Sequence, residues 1–104
     1  MTHAEILSTL KKLKPHYEKE GILLLGIFGS YANNSANESS DIDILIETTP
    51  AFLKQHKGFR AFAELENLKT SLKAIFQKEI DIVDKQGLKQ HNNHYILEKT
   101  LYVS

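Results

Sequence analysis

In this chain of 104 residues, thirteen lysines and arginines balance thirteen aspartates and glutamates, 41% of residues are hydrophobic, 25% are charged and cysteine is absent. The size and composition predict one soluble globular domain over residues 1–104, and the missing cysteine excludes disulfides and thiolate metal sites. Arg60 is the one arginine, so no basic stripe is available to neutralise many nucleic-acid phosphates. The expectation is a cytoplasmic protein with neither a membrane nor generic nucleic acid as partner.

Thr2, with Glu5 three residues on, reads as a capping box, and Ile6, Leu10, Leu13 and Tyr17 follow at helical spacing as far as Gly21. Pro15 predicts a kink in this helix, or an end near Lys14 and a restart. ILLLGIF, residues 22 to 28, is too uniformly apolar for a surface strand and far too short to span a bilayer, so it reads as a buried central strand. YANNSANESS has room for a short helix and a loop. DIDILIE, residues 41 to 47, alternates with Ile42, Ile44 and Ile46 on one face and Asp41, Asp43, Leu45 and Glu47 on the other.

Gly58 precedes a long amphipathic helix whose stripe of Phe59, Phe62, Leu65, Leu68, Leu72, Ile75 and Phe76 is expected to face the core. KEIDIVD, residues 78 to 84, is a second alternating strand, and Asn93 is placed to cap a last helix carrying Ile96, Leu97 and Leu101. The order predicts a small α/β (α+β) domain, a mixed sheet of about three strands packed against four helices.

Asp41 and Asp43 stand on one face of their strand, about 7 Å apart along it. Two such carboxylates repel each other unless a cation lies between them, and Mg²⁺ commonly takes one or two carboxylates together with substrate phosphates. Taken alone, the pair is better explained as part of a solvated sheet face. Asp81, in the second alternating strand, joins the same face if the two strands are neighbours. Three carboxylates on one small sheet suit a phosphoryl-transfer site built around two metal ions. Gly29 and Ser30, at the exit of the apolar strand, add a place where phosphates approach the main chain and meet a hydroxyl, although glycine and serine also end many ordinary turns. His91 and His94 have a spacing that ligates metal in a helix, but exposed residues at a helix start explain them better; Tyr31 and Tyr95 suit base stacking, partner contact or partial burial alike.

GSYANNSANESSDIDILIE resembles the signature of the nucleotidyltransferase superfamily typified by DNA polymerase beta, with glycine-serine, a spacer, an aspartate pair on a strand and a third carboxylate on a later strand. In length and layout the chain is similar to the minimal nucleotidyltransferases, often encoded beside a HEPN-domain protein as a toxin-antitoxin pair. The resemblance implies that Gly29 and Ser30 hold nucleotide phosphates, that Asp41, Asp43 and Asp81 bind two Mg²⁺ ions (or Mn²⁺), and that Asp81 also helps to deprotonate the acceptor. It further implies transfer of AMP from ATP to a tyrosine of a HEPN ribonuclease toxin, with this chain as the antitoxin, alone or in a homo- or hetero-oligomer. Two other readings are a non-catalytic module that neutralises its partner by occlusion and a transferase for a small molecule of the aminoglycoside kind. The spacer departs from the family's alanine-arginine-glycine: here Ala32 precedes Asn33 and Asn34. Asparagine tolerates a left-handed backbone but lacks a guanidinium's bidentate grip on phosphate, a grip that Arg60 or a partner would have to replace.

Overall fold

Helix α1 (His3–Lys19) begins where the sequence places its cap: the Glu5 backbone N–H donates to the Thr2 hydroxyl at 3.2 Å, and that hydroxyl donates to the Glu5 carboxylate at 3.2 Å. In the computed structural model, which describes residues 1–90 and 94–103, α1 runs unbroken through Pro15. Pro15 and Lys11 are both exposed. The Lys11 carbonyl, deprived of its helical donor, therefore lies on the wet side of the helix, where water replaces the lost bond.

Strand β1 (Ile22–Phe28) leads into a four-residue helix, α2 (Gly29–Ala32), and after a polar loop into β2 (Ile42–Thr48). Then come α3 (Pro50–Gln55), α4 (Phe59–Phe76), β3 (Ile80–Asp84), α5 (Lys85–Gln90), α6 (His94–Glu98) and β4 (Leu101–Tyr102). The sheet order is β3-β2-β1-β4, with β2 antiparallel to β1 and parallel to β3, and β4 antiparallel to β1. ILLLGIF is the inner strand its apolar run predicts.

Ile42, Ile44 and Ile46 are completely buried, in one cluster with Ile6 and Leu10 of α1 and with Leu68 and Leu72 of α4. Leu45 is buried as fully but stands outside that cluster, on the side of the sheet that carries Asp43. Helix α5, with its buried Leu88, packs against β2 and β3. The sheet is thus clad on one face by the long helices, while the aspartate face is roofed in part.

The described residues form four strands and six helices where the sequence predicted about three and four; the mixed α+β class stands. Leu101 belongs to β4 rather than to the last helix. The Thr100 hydroxyl donates to the Ile96 carbonyl at 2.7 Å as the helix ends, and the Val103 N–H donates to the Leu25 carbonyl at 2.8 Å. The free edge of β1 takes up the chain because Gly26 lets it come close: a Cβ there would collide with the Leu101 carbonyl oxygen. Pairing with an otherwise open edge outweighs the helical spacing of Leu101.

The stripe on α4 also divides. Leu68, Leu72 and Phe76 are buried, but Phe59 is 91% and Phe62 64% exposed, and Ile75 is exposed as well. Ala61 and Leu65 pack against the core only in part, so helical spacing alone overstated the core face. Leu72→Ala is expected to lower the unfolding free energy by about 2–5 kcal/mol, whereas Phe62→Ala should stay within about 0.5 kcal/mol. Denaturant titration of the two variants side by side checks this division.

Candidate active site

The exit of β1 and the start of β2 are held together across the sheet. Phe28 pairs with Asp43, and Asp43 pairs in turn with Asp81 of β3. The parallel β2–β3 register sets the two aspartates directly beside each other, and in a sheet such partners point to the same face. Asp41 stands one residue ahead of β2 and, like Asp81, is exposed, while Asp43 is half-buried. The pairing of the two alternating strands that the sequence could only suppose is therefore present.

Gly29 closes the site from the β1 side. Its φ is +71°, and a Cβ at this position would run into the Asp43 carboxylate. Both facts exclude a larger residue: the backbone angle favours glycine, and the main chain has to pass over the carboxylate at close quarters. Ser30 follows within α2, whose N-terminus is Gly29 itself.

Asp43 is electrically the most stressed group of the site. Burial raises its pKa above the ordinary carboxylate value, and the negative charges of Asp81 and then Asp41 raise it further. The three side chains thus share one field. Among the described residues, no group of three or more histidine and acidic side chains is gathered into a ready metal cluster. The chemistry of the donor set nonetheless fits a hard divalent cation, being all oxygen, all anionic and with Asp43 penalised for its charge until a counter-charge is supplied.

The spacer after α2 is shaped by its asparagines. Asn34 takes φ 63°, the left-handed conformation, and its side-chain oxygen lies 3.0 Å from His3 Nδ1, linking the loop to the start of α1. Asn33 accepts hydrogen bonds from the Ser35 N–H, at 3.0 Å, and from the Ser35 hydroxyl. Beside this loop a cavity of about 460 Å³ is lined by Phe28, Gly29, Ala32 and Asn33 on one side and by Ile96 and the segment 98–101 on the other. Its volume falls within the range of small-molecule sites. The α6–β4 wall, with Glu98, Lys99 and Thr100, was not visible from the sequence, because no motif marks it and its place follows from the β4 pairing.

Other candidates separate from this centre. Tyr31 is buried in the hydrophobic core, so it is a packing residue rather than a platform for a base. Arg60 is exposed on α4. His91 and Asn93 lie outside the described residues, as do the side chains of His94 and Tyr95. Asp84, the other acid of β3, accepts hydrogen bonds from the Gln86 N–H at 2.9 Å and the Thr48 hydroxyl at 3.4 Å, and so serves the start of α5.

A mixed sheet with a glycine turn over one aspartate, a second aspartate two residues before it and a third on the neighbouring strand is the arrangement expected of a nucleotidyltransferase. The family model described as "Polymerase beta, Nucleotidyltransferase" matches residues 11–103. The chain belongs to that family, among its minimal nucleotidyltransferases. It is 36% identical over 106 residues to the protein adenylyltransferase MntA of Thermococcus cleftensis, covering 99% of this chain and 97% of that protein. It is 41% identical over 98 residues to a Methanocaldococcus jannaschii protein provisionally named as a protein adenylyltransferase, covering 91% of this chain and 87% of the relative. A solved structure provisionally described as a minimal nucleotidyltransferase superposes with a TM-score of 0.73 over 97% of this chain and 95% of its own, at 22% identity, and so shares the fold. No helix among the described residues is long and apolar enough to cross a membrane.

The raised pKa of Asp43 has a consequence for stability. A carboxyl that holds its proton more tightly when folded than when unfolded penalises the folded state above its folded pKa, and the penalty fades as pH falls through that value toward the unfolded one. Asp43→Asn should therefore melt at a higher temperature than the wild type at pH 7 without divalent cations, and the gain should shrink toward pH 4. Thermal melts across that range read it directly.

Proposed function

We propose that this nucleotidyltransferase moves AMP from ATP to a hydroxyl of a partner protein, the acceptor being a tyrosine of a HEPN ribonuclease that is thereby silenced. The observation that carries the reaction class is the position of Asp43, wedged between Gly29 and Asp81 and sharing its charge with Asp41. Protein acceptance and the adenylyl group are supported by the names of the relatives, which are those of protein adenylyltransferases. The tyrosine, the HEPN partner and the role of antitoxin rest on the resemblance to the minimal nucleotidyltransferases.

Asp41, Asp43 and Asp81 are the residues that hold Mg²⁺ in this reading, in one or two ions, with Mn²⁺ as a substitute. When bound, the cation neutralises the triphosphate and the carboxylates together, favouring charge transfer to the leaving group. Gly29 presents main chain to the phosphates without a side chain in the way, and the Ser30 hydroxyl follows it at the start of α2. The acceptor oxygen attacks the α-phosphorus from the aspartate side. Asp81, exposed on the outer strand, receives the proton; the bond to the bridging oxygen breaks and pyrophosphate leaves.

Incubation of the cognate HEPN protein with this chain, Mg²⁺ and each nucleoside triphosphate in turn, followed by intact-mass analysis, tests the proposal. The expected result is an AMP increment with ATP that is lost with Asp43→Asn by a factor of at least 10³, and that peptide mapping places on a tyrosine. A stable complex that silences the ribonuclease with no mass increment, and equally well with Asp43→Asn, would replace transfer by occlusion.

A further inference from the structure

Phe59 and Phe62, on the first turns of α4, are exposed and line an open apolar hollow together with Gly58. Aromatic side chains gathered in one place on a surface mark a contact site more than an ordinary exterior. Phe62 also lines a second hollow of about 220 Å³, in which Leu65, Glu66 and Lys69 of α4 stand opposite Asp81, Ile82 and Asp84 of β3. The aromatic patch thus continues into a groove that reaches Asp81. β3 is the outer strand of the sheet, and among the described residues no strand pairs with its far edge. Helix α4 packs on one face of β3 and Asp81 shares the other with Asp43, so the groove lies where the two faces meet around that edge. Its charged lining is three carboxylates, Glu66, Asp81 and Asp84, against the ammonium of Lys69. A basic occupant is therefore favoured. A second copy of the chain, meeting this edge through the same surface, would set those carboxylates against each other and cover Asp81.

We propose that Phe59 and Phe62, with the groove along β3, form the docking surface for the protein that accepts the nucleotidyl group, a partner that lays an apolar side chain on the phenylalanines and a basic one in the groove. This rests on the reading of the chain as a protein nucleotidyltransferase and adds where its acceptor binds. A segment held there passes the exposed Asp81, the group that receives the acceptor's proton in that reading. The strand order sets β3 at one edge of the sheet and β4 at the other, so the acceptor and the cavity beside Gly29 flank the aspartates from opposite sides. Lys69, opposite in sign to the rest of the groove, works against a basic partner, and its removal should favour docking.

The test measures binding and modification of the HEPN protein by wild type, by Phe59→Ser with Phe62→Ser, by Glu66→Lys and by Lys69→Met, alongside Mg²⁺-ATP affinity, melting temperature and self-association. The double phenylalanine variant is expected to weaken acceptor binding by about tenfold or more, as for the loss of interface anchors, with the loss of transfer falling on KM for the acceptor rather than on kcat. Its ATP affinity and melting temperature should hold. Glu66→Lys should weaken binding by about threefold at low ionic strength and by less at high salt, and Lys69→Met should tighten it. Unchanged acceptor binding in the double variant overturns the docking surface while leaving Asp43-dependent transfer, and so the enzymatic reading, intact. A parallel fall in ATP affinity and melting temperature also overturns it, since that marks a structural role; so does loss of self-association alone, which assigns the patch to a second copy. Charge variants that shift affinity in the reverse directions overturn the basic partner. A complex without transfer removes the enzymatic reading, and the double variant still decides the surface; a HEPN protein neither bound nor modified by wild type sinks both.

Discussion

The cross-strand pairing of Asp43 with Asp81, under the main chain of Gly29, is the constraint around which the rest of the site is arranged. Like charges placed side by side on neighbouring strands cost stability rather than provide it. Only a strong framework keeps them there, and the opposite face of the same strands supplies it. Ile42, Ile44 and Ile46 are completely buried against α1 and α4, so sliding β2 by one residue would turn three isoleucines to water and three anionic side chains into the core. The hydrophobic face thereby fixes the register of the aspartate face. Burial on one side of the sheet thus holds an electrostatically unfavourable arrangement in place on the other.

This division explains which features the sequence displayed. Period-two alternation in DIDILIE and KEIDIVD carries both the fold and the candidate site, because the residues that bury and the residues proposed to react share a strand. Glycine followed by serine at a strand exit is weak by itself and gains meaning only from the carboxylates. The Thr2–Glu5 cap was legible because capping is local, with all its partners inside one turn.

What the sequence concealed is non-local. Helical spacing from Phe59 to Phe76 shows that one stripe is apolar but not how much of it the rest of the fold covers: Phe59 and Phe62 continue the stripe and are exposed. Leu101 continues the spacing of the last helix and is nevertheless a strand residue, since the free edge of β1 and the bare Gly26 lie seventy-five positions away, 101 − 26. Tyr31 follows the glycine-serine pair, where a ligand contact is a natural guess, yet it turns into the core.

The two-residue strand β4 has more influence than its length suggests. Its pairing with Gly26 and Ile27 brings the segment 98–101 to face Gly29 and Asn33, and so creates the cavity beside Gly29. A strand so short is weakly held by its own ladder, with one further bond from the Val103 N–H to the Leu25 carbonyl. A ligand that touches both walls therefore adds contacts where the sheet has fewest, and its binding energy also tightens β4 against β1. Gly26 and Gly29, three residues apart on one stretch of chain, stand at the two ends of that coupling: the first admits the backbone of β4, the second lets the main chain pass close over Asp43.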